Sequence, residues 1–245
     1  MEVHAHSHTP RKKWNHYFWE FLMLFTAVFF GFLAEYQLEH KIEKDREKQY
    51  IQSLVEDLST DTANLQLVID NFKRRDLNLD TLLSLYPRLA AGFNDTLHRK
   101  LAATTGFADF VKADRTMQQL KNSGGMRLIR IKQAADDITG YDLMNRDLDI
   151  DVTGLNEIFI QVMHSRFEII DSAALVNDLR IKTLADLEQG NKNYLLKKDQ
   201  QTLGKWNNEI REFRTLCQMV RISEEKLKTK AITLIALLKK EYHLE

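Results

Sequence analysis

The sequence predicts an all-α fold, in which an N-terminal single transmembrane helix continues into an extended bundle of about four long helices. Two prolines and nine glycines in 245 residues favour long helices over a fold of strands and turns. Apolar residues recur at spacings of three and four over long stretches, which is the helical period. Residues 14–37 form a nearly continuous apolar and aromatic run, WNHYFWEFLMLFTAVFFGFLAEYQ.

The composition limits the function classes. Lys plus Arg and Asp plus Glu both number 35, so the chain has no charge excess that would attract nucleic acid. Cys217 is the single cysteine, which excludes an intrachain disulfide and a cysteine-ligated metal site. More than 200 residues follow the apolar run, enough for one medium domain with its own core.

The apolar run has the length of a membrane span. From Tyr17 to Tyr36 it would form about 30 Å of helix, which matches the hydrocarbon core of a bilayer. Glu20 and Glu35 lie near its two ends, where a carboxylate reaches the headgroups. We therefore predict a transmembrane helix over residues 14–36. Its interface anchors are aromatic residues with a polar edge, namely Trp14, Tyr17, Trp19 and Tyr36.

Two alternatives to a retained span are weaker. A cleaved signal peptide would end in small residues, whereas this run ends in Leu33-Ala34-Glu35-Tyr36. A buried helix of a soluble bundle would have a polar stripe, and Phe21 to Ala34 has only Thr26. The basic cluster Arg11-Lys12-Lys13 favours a cytoplasmic N-terminus, although Lys and Arg residues also follow the span. The expected location is the bacterial inner membrane, with most of the chain extracytoplasmic.

Four regions follow from these patterns. Residues 1–13 are a disordered tail that contains histidines, and residues 14–36 are the span. Residues 37–49 are a charged juxtamembrane helix of strong helix formers, and residues 50–245 are the helical bundle domain. The first helix should begin near Trp14 and end at Phe72 or extend to Tyr86, because Pro87 disfavours helical backbone at the residue before it.

The remaining elements are predicted from breakers and caps. Residues 87–106 are a connector with a short helix at 96–104, and residues 107–121 form a helix that stops at Asn122-Ser123-Gly124-Gly125. Another helix starts near Met126 and breaks at 147–152 (DLDIDV). The next helix, capped by Asp151 or Thr153, reaches Glu188 and ends at Gly190. The last helix, roughly 196–242, has spacing close to a coiled-coil repeat.

Candidate contact residues lie within and beside the span. Ala27 and Gly31 form a small-xxx-small pair that would let two helix backbones approach. His16 and Glu20 stand at i,i+4 near the boundary, where they could contact a partner span or extend to the headgroups.

No pattern predicts a catalytic, cofactor-binding or metal-binding residue. The histidines at positions 4, 6 and 8 belong to a tail that offers no fixed second shell. The acids Asp147, Asp149 and Asp151 resemble the start of a calcium loop, but Val152 replaces its glycine and Ile158 its final glutamate. His164 has no matched acid or nucleophile, and Cys217 fits a buried apolar stripe.

Three stretches together resemble an uncharacterised bacterial family of short single-pass membrane proteins. They are WEFLMLFTAVFFGFLAEYQLE, EKDREKQYIQSLVEDL and RTMQQLKNSGGMRLI, 52 residues in all. In the last stretch, the residues that fall on the family's turn are Leu120, Ser123, Gly124, Leu128 and Ile129. The resemblance implies a membrane-anchored helical protein with a coiled-coil-like domain, and it brings no activity or site.

The sequence therefore predicts a non-enzymatic, membrane-anchored helical bundle. Its expected role is that of an interaction or accessory subunit of an envelope assembly, with membrane lipid and either a protein partner or a second copy as its contacts. The alternative is an extracytoplasmic sensor that binds a ligand and signals through a partner.

Overall fold

The computed structural model describes residues 14–89, 106, 108–174 and 194–244. These residues form α1 (Trp14–Leu89), α2 (Arg115–Asn122), a 3₁₀ turn (Gly125–Leu128), α3 (Lys132–Ile169) and α4 (Gln200–Glu241). Within these ranges there is no β-strand, only an isolated antiparallel bridge between Ile170 and Leu195. The all-α prediction is confirmed. The described part contains three long helices, so the predicted set of about four is not confirmed.

The chain divides into two compact units, Met1–Gln49 and Tyr50–Glu245. In the first unit, α1 carries the apolar run, and its large side chains point outward. Phe21, Phe25 and Phe29 stack along the helix with ring centroids 6.0 Å apart. A single helix among the described residues, α1, is long and apolar enough to cross a membrane by length and composition, and none of its most apolar stretch is buried.

In the second unit, the C-terminal part of α1 packs with α3 and α4. Lys228 of α4 donates a hydrogen bond to Gln66 of α1, and Arg214 of α4 reaches Asp76 further along α1, so these helices run antiparallel. Lys230 and Glu209 of α4 contact Asp137 and Gln161 of α3 in the same antiparallel sense. Because α1 and α3 are each antiparallel to α4, they run parallel to one another.

Buried residues in all three long helices recur at alternating spacings of three and four. This spacing keeps one face of each helix toward the shared core, where burial of each large apolar side chain contributes about 2 kcal/mol. The α1 set is Ile51, Leu54, Leu58, Asp61, Leu65, Val68 and Phe72. The α4 set is Leu203, Trp206, Ile210, Phe213, Cys217, Val220, Glu224, Leu227, Ala231, Leu234 and Leu238.

The helix predicted over residues 107–121 is too long. Residues 108–114 are not helical, and α2 begins at Arg115. The non-helical segment lies along α1, where Asn64 donates to the Val111 carbonyl at 3.1 Å and Asp61 accepts from the Ala113 N–H at 2.6 Å. These bonds satisfy backbone groups that a helix would otherwise pair internally, so tertiary contacts override the local helix propensity.

The predicted stop after α2 is confirmed. The helix ends at Asn122, and Gly124 has a φ of 66°, a left-handed conformation that favours glycine. A Cβ on Gly125 would lie 3.2 Å from Leu120 Cδ2, so this position also favours glycine for its small size. The next helix starts at Lys132, later than the predicted Met126, because the 3₁₀ turn comes first.

The predicted break at residues 147–152 is wrong. α3 is continuous from Lys132 to Ile169, because Leu148 and Leu155 keep the core spacing through the acidic stretch. Asp149 instead pairs with Lys112 at 2.7 Å, and Asp151 accepts from Ser223 at 2.8 Å. No proline or turn-forming glycine interrupts the stretch, so outward-facing acids are compatible with a helix.

The helix predicted to reach Glu188 ends at Ile169, where Ile170 takes an extended conformation. The predicted end at Gly190 and the short helix at 96–104 lie outside the described residues. Pro87 does not end α1, which continues to Leu89. The last helix is confirmed as α4, and its cap is Asp199, whose carboxylate accepts from the Thr202 N–H at 2.8 Å.

Candidate functional site

The predicted anchors of the apolar segment all lie exposed on α1. Trp14 has 85% of its surface exposed, and Tyr17, Trp19 and Tyr36 are also exposed, though less so. His16 and Glu20 are exposed on the same helix. Their proposed role at a membrane boundary stays a prediction.

Five phenylalanines and the small-residue pair occupy different sides of this segment. At 100° per residue, the Phe side chains at positions 18, 21, 25, 29 and 32 fall within about 80° of arc. Ala27 and Gly31 fall in the opposite half of the helix, and a Cβ placed on Gly31 would meet nothing within 4 Å. The small-residue pair is therefore open to an approaching helix, and the contact itself remains a prediction.

A cleft of about 150 Å³ lies in the second unit between α1, the segment before α2, and α3. Its apolar lining comes from Leu54, Leu58 and Met117. Its polar lining comes from both sides of the cleft and comprises Asp57, Asp61, Lys112, Asp114, Gln118, Lys121, Tyr141, Asp142, Asn145 and Arg146. Ser, Cys and His are absent from the described lining, so this surface suits binding better than nucleophilic catalysis.

Asp57 joins α1 to the start of α2. Its buried carboxylate accepts the Thr116 N–H at 2.9 Å, which is one of the N–H groups left without a partner at a helix start. Asp114 occupies the N-cap position of α2 but makes no capping bond with its side chain. A residue about 60 positions earlier in the chain therefore caps α2.

Asp61 is the second buried acid of the cleft, one turn from Asp57. It accepts from the Ala113 N–H at 2.6 Å and from the Tyr141 hydroxyl at 2.6 Å. Burial raises the pKa of Asp61 above its ordinary value, and the negative charge of Asp57 adds to that increase. Burial also raises the pKa of Tyr141, with the charge of Asp61 as the next cause, so the phenol stays protonated and donates.

Asn145 lies on α3 one turn after Tyr141 and is 7% exposed. Its Nδ2 donates to the Tyr141 carbonyl at 3.2 Å, whereas its Oδ1 is buried without a hydrogen-bond partner among the described residues. A buried acceptor without a donor is unfavourable by about 1–3 kcal/mol, so it marks a place where a ligand would gain affinity.

The basic side chains at the rim are held by acids. Lys112 pairs with Asp149 at 2.7 Å, and Lys121 pairs with Asp142 at 2.5 Å. Arg146 lies 3.6 Å from the same Asp142. The rim is therefore close to neutral and leaves the inner acids without compensation from these cations.

Among the described residues, His164 and Cys217 do not line the cleft, and Asp149 touches it only through its pair with Lys112. The histidines at positions 4, 6 and 8 are outside the described residues. Asp147, Asp149 and Asp151 are exposed on a continuous helix and do not form the predicted capping break. His164 is exposed on α3. Cys217 is buried as predicted, and burial raises its pKa to about 12.

Sequence reasoning missed the residues that build the cleft. One pattern could have found two of them: Asp61 and Asn145 interrupt the three-and-four spacing of apolar residues at positions that face the core. Polar residues at core positions require partners, so such interruptions identify functional or specificity-determining sites. Asp57 offers no such pattern, because its partner Thr116 is distant in sequence.

Comparison with protein-family models, with curated proteins and with solved structures finds no significant match to this chain.

Proposed function

We propose that the chain is a membrane-anchored, non-enzymatic helical protein that serves as an interaction or accessory subunit of a bacterial envelope membrane assembly. In this proposal α1 anchors the chain through residues 14–36 in the inner membrane, with the N-terminus cytoplasmic. The second unit then provides an extracytoplasmic surface for a protein partner or a second copy.

One observation carries the proposal: no residue of the most apolar stretch of α1 is buried. The second unit buries a large set of apolar residues in a core, whereas Phe21, Phe25 and Phe29 of the first unit are each half exposed or more. A continuous exposed apolar surface of this length is unfavourable in water and marks a membrane or protein contact. Its length and flanking aromatic residues suit a bilayer.

Co-purification from membranes tests the accessory role. Full-length protein, extracted in mild detergent after brief cross-linking, should retain a reproducible set of membrane proteins. Gly31→Leu should reduce that set if the small face contacts a partner span, because the larger side chain keeps backbones apart. The matched control is Leu33→Ile on another side of the same segment, which should leave the set unchanged.

Recovery of the chain alone, or of the same set with Gly31→Leu, would contradict contact through the span. An enzyme reporter that is active only outside the cytoplasm, fused to the C-terminus, tests the orientation independently. The proposed orientation predicts that this reporter is active.

A second candidate function is ligand sensing, and the cleft in the second unit favours it. Asn145 offers an unpartnered buried acceptor beside two buried acids, an arrangement that suits a small polar ligand. In this alternative the bundle binds a ligand and signals through a partner. A saturable increase in the thermal unfolding midpoint with a small-molecule panel would support it, because ligands that bind only the native state stabilise it.

A further inference from the structure

The two buried acids of the cleft lack strong cationic partners. Asp61 accepts from Ala113 and Tyr141, and both donors are neutral. Asp57 accepts from the Thr116 N–H, and its cationic contact is Arg115 at 3.5 Å, whose side chain is 74% exposed. Buried carboxylates are normally paired with a cation or become protonated, so this pair favours a positively charged group.

Asn145 gives a second and independent indication. Asn145 lines the same cleft from α3, and its Oδ1 is shielded from solvent and finds no donor among the described residues. An amide oxygen is uncharged and accepts hydrogen bonds. It therefore adds directional recognition to the electrostatic attraction of the two acids. Both observations favour a ligand group that donates hydrogen bonds and carries a positive charge.

We propose that this cleft binds a small organic cation with a primary ammonium group. Such a group has three N–H donors, which match the free lone pairs of Asp57 and Asp61 and the Oδ1 of Asn145. The cleft volume of about 150 Å³ leaves room for a few further heavy atoms, and Leu54, Leu58 and Met117 suit a short aliphatic stem. The proposal rests on the ligand-binding role given above as the second candidate function.

An ammonium fits these residues better than a metal ion or an anion. Within the described residues, no group of three or more His, Cys, Asp or Glu side chains is placed to hold a metal. Calcium requires six to eight oxygen ligands, more than two aspartates and one amide supply. An anion would meet Asp57 and Asp61 directly, while Lys112 and Lys121 are already paired with Asp149 and Asp142.

Thermal unfolding of the full chain in detergent, followed with three nearly isosteric probes, tests the proposal. The probes are ethanolamine, 1,2-ethanediol and glycolate, which present a cation, a neutral group and an anion. Ethanolamine should raise the unfolding midpoint of the second unit saturably, and the other two should not. Equal shifts with 1,2-ethanediol, or no shift with ethanolamine, would overturn the ammonium assignment.

Variants then assign the effect to the cleft. Asp61→Asn and Asn145→Ala should each weaken ethanolamine binding by about tenfold or more, because each removes a charged partner or an acceptor of the ammonium. Asp70→Asn makes the same charge change on an exposed part of α1 and should leave binding unchanged. Unchanged binding in both cleft variants would place the ligand elsewhere and overturn the proposal. Stabilisation by glycolate or by another compound without an ammonium would refute this inference alone, while the ligand-binding function would stand.

Discussion

Glu224 provides a prediction whose magnitude follows from its surroundings. It occupies a core position of α4, is 1% exposed, and both carboxylate oxygens lack hydrogen-bond partners among the described residues. Burial raises its pKa from 4.5 to about 8, and the negative charges of Asp109 and Glu225 contribute further. At neutral pH the folded state therefore keeps Glu224 protonated, whereas the unfolded state ionises it.

The sign of the pH dependence follows from linkage. Because the folded-state pKa exceeds the unfolded one, the contribution to stability is fully present below about pH 4.5 and is lost as pH rises to about 8. Each pKa unit corresponds to about 1.4 kcal/mol, so the loss between pH 4.5 and pH 7 is about 3 kcal/mol. The Glu224→Gln variant has no titratable group at this position. Its free energy of unfolding should therefore lack this loss between about pH 4.5 and pH 7.

The assay is urea unfolding of the full chain in detergent at several pH values. Replacing Trp14 and Trp19 by Phe leaves Trp206, buried in α4, as the single tryptophan reporter of the second unit. The advantage of Glu224→Gln over the parent should grow by about 3 kcal/mol from about pH 4.5 to pH 7. Glu212→Gln, an exposed control on the same helix, should stay within about 0.5 kcal/mol. Parallel pH profiles of Glu224→Gln and the parent would refute the reasoning.

Two further predictions concern the backbone around the cleft and the turn. Asp57→Ala should lower the free energy of unfolding by about 1–2 kcal/mol, because the Thr116 N–H loses its acceptor. Asp114→Ala, at the nominal N-cap, should lower the free energy of unfolding less. Equal effects of the two variants in urea unfolding would contradict the assigned cap. Gly154→Ala within α3 should stabilise the protein by up to about 1 kcal/mol, since a Cβ at this position would meet nothing within 4 Å. Gly124→Ala should destabilise the protein by about 1 kcal/mol, because the φ of 66° at this position favours glycine. Equal signs for the two glycine variants in the same assay would show that the turn geometry is wrong.

Local patterns in the sequence predict part of this fold well. The three-and-four spacing predicts α4, and the glycines at 124 and 125 predict the end of α2, because both features depend on neighbouring residues. The predicted break at the acidic stretch 147–152 is wrong, since polarity alone does not stop a helix whose core spacing continues.

The cleft was beyond sequence reasoning because it depends on distant pairs. Asp57 with Thr116 and Asp61 with Tyr141 are separated by 59 and 80 residues. The start of α2 at Arg115 depends on the same contacts, which take up the backbone groups before it. Only Asp61 and Asn145, as polar interruptions of apolar spacing, leave a trace in the sequence.

Membrane attachment is tested most directly by alkaline carbonate extraction of vesicles that carry the full chain. Integral insertion predicts that the parent stays in the membrane pellet, whereas a variant with Phe25→Arg and Val28→Arg is released, since each central charge opposes insertion by about 3 kcal/mol. Leu67→Arg, an equally exposed apolar position of the second unit, should remain in the pellet. Release of the parent chain into the carbonate supernatant would contradict the membrane anchor.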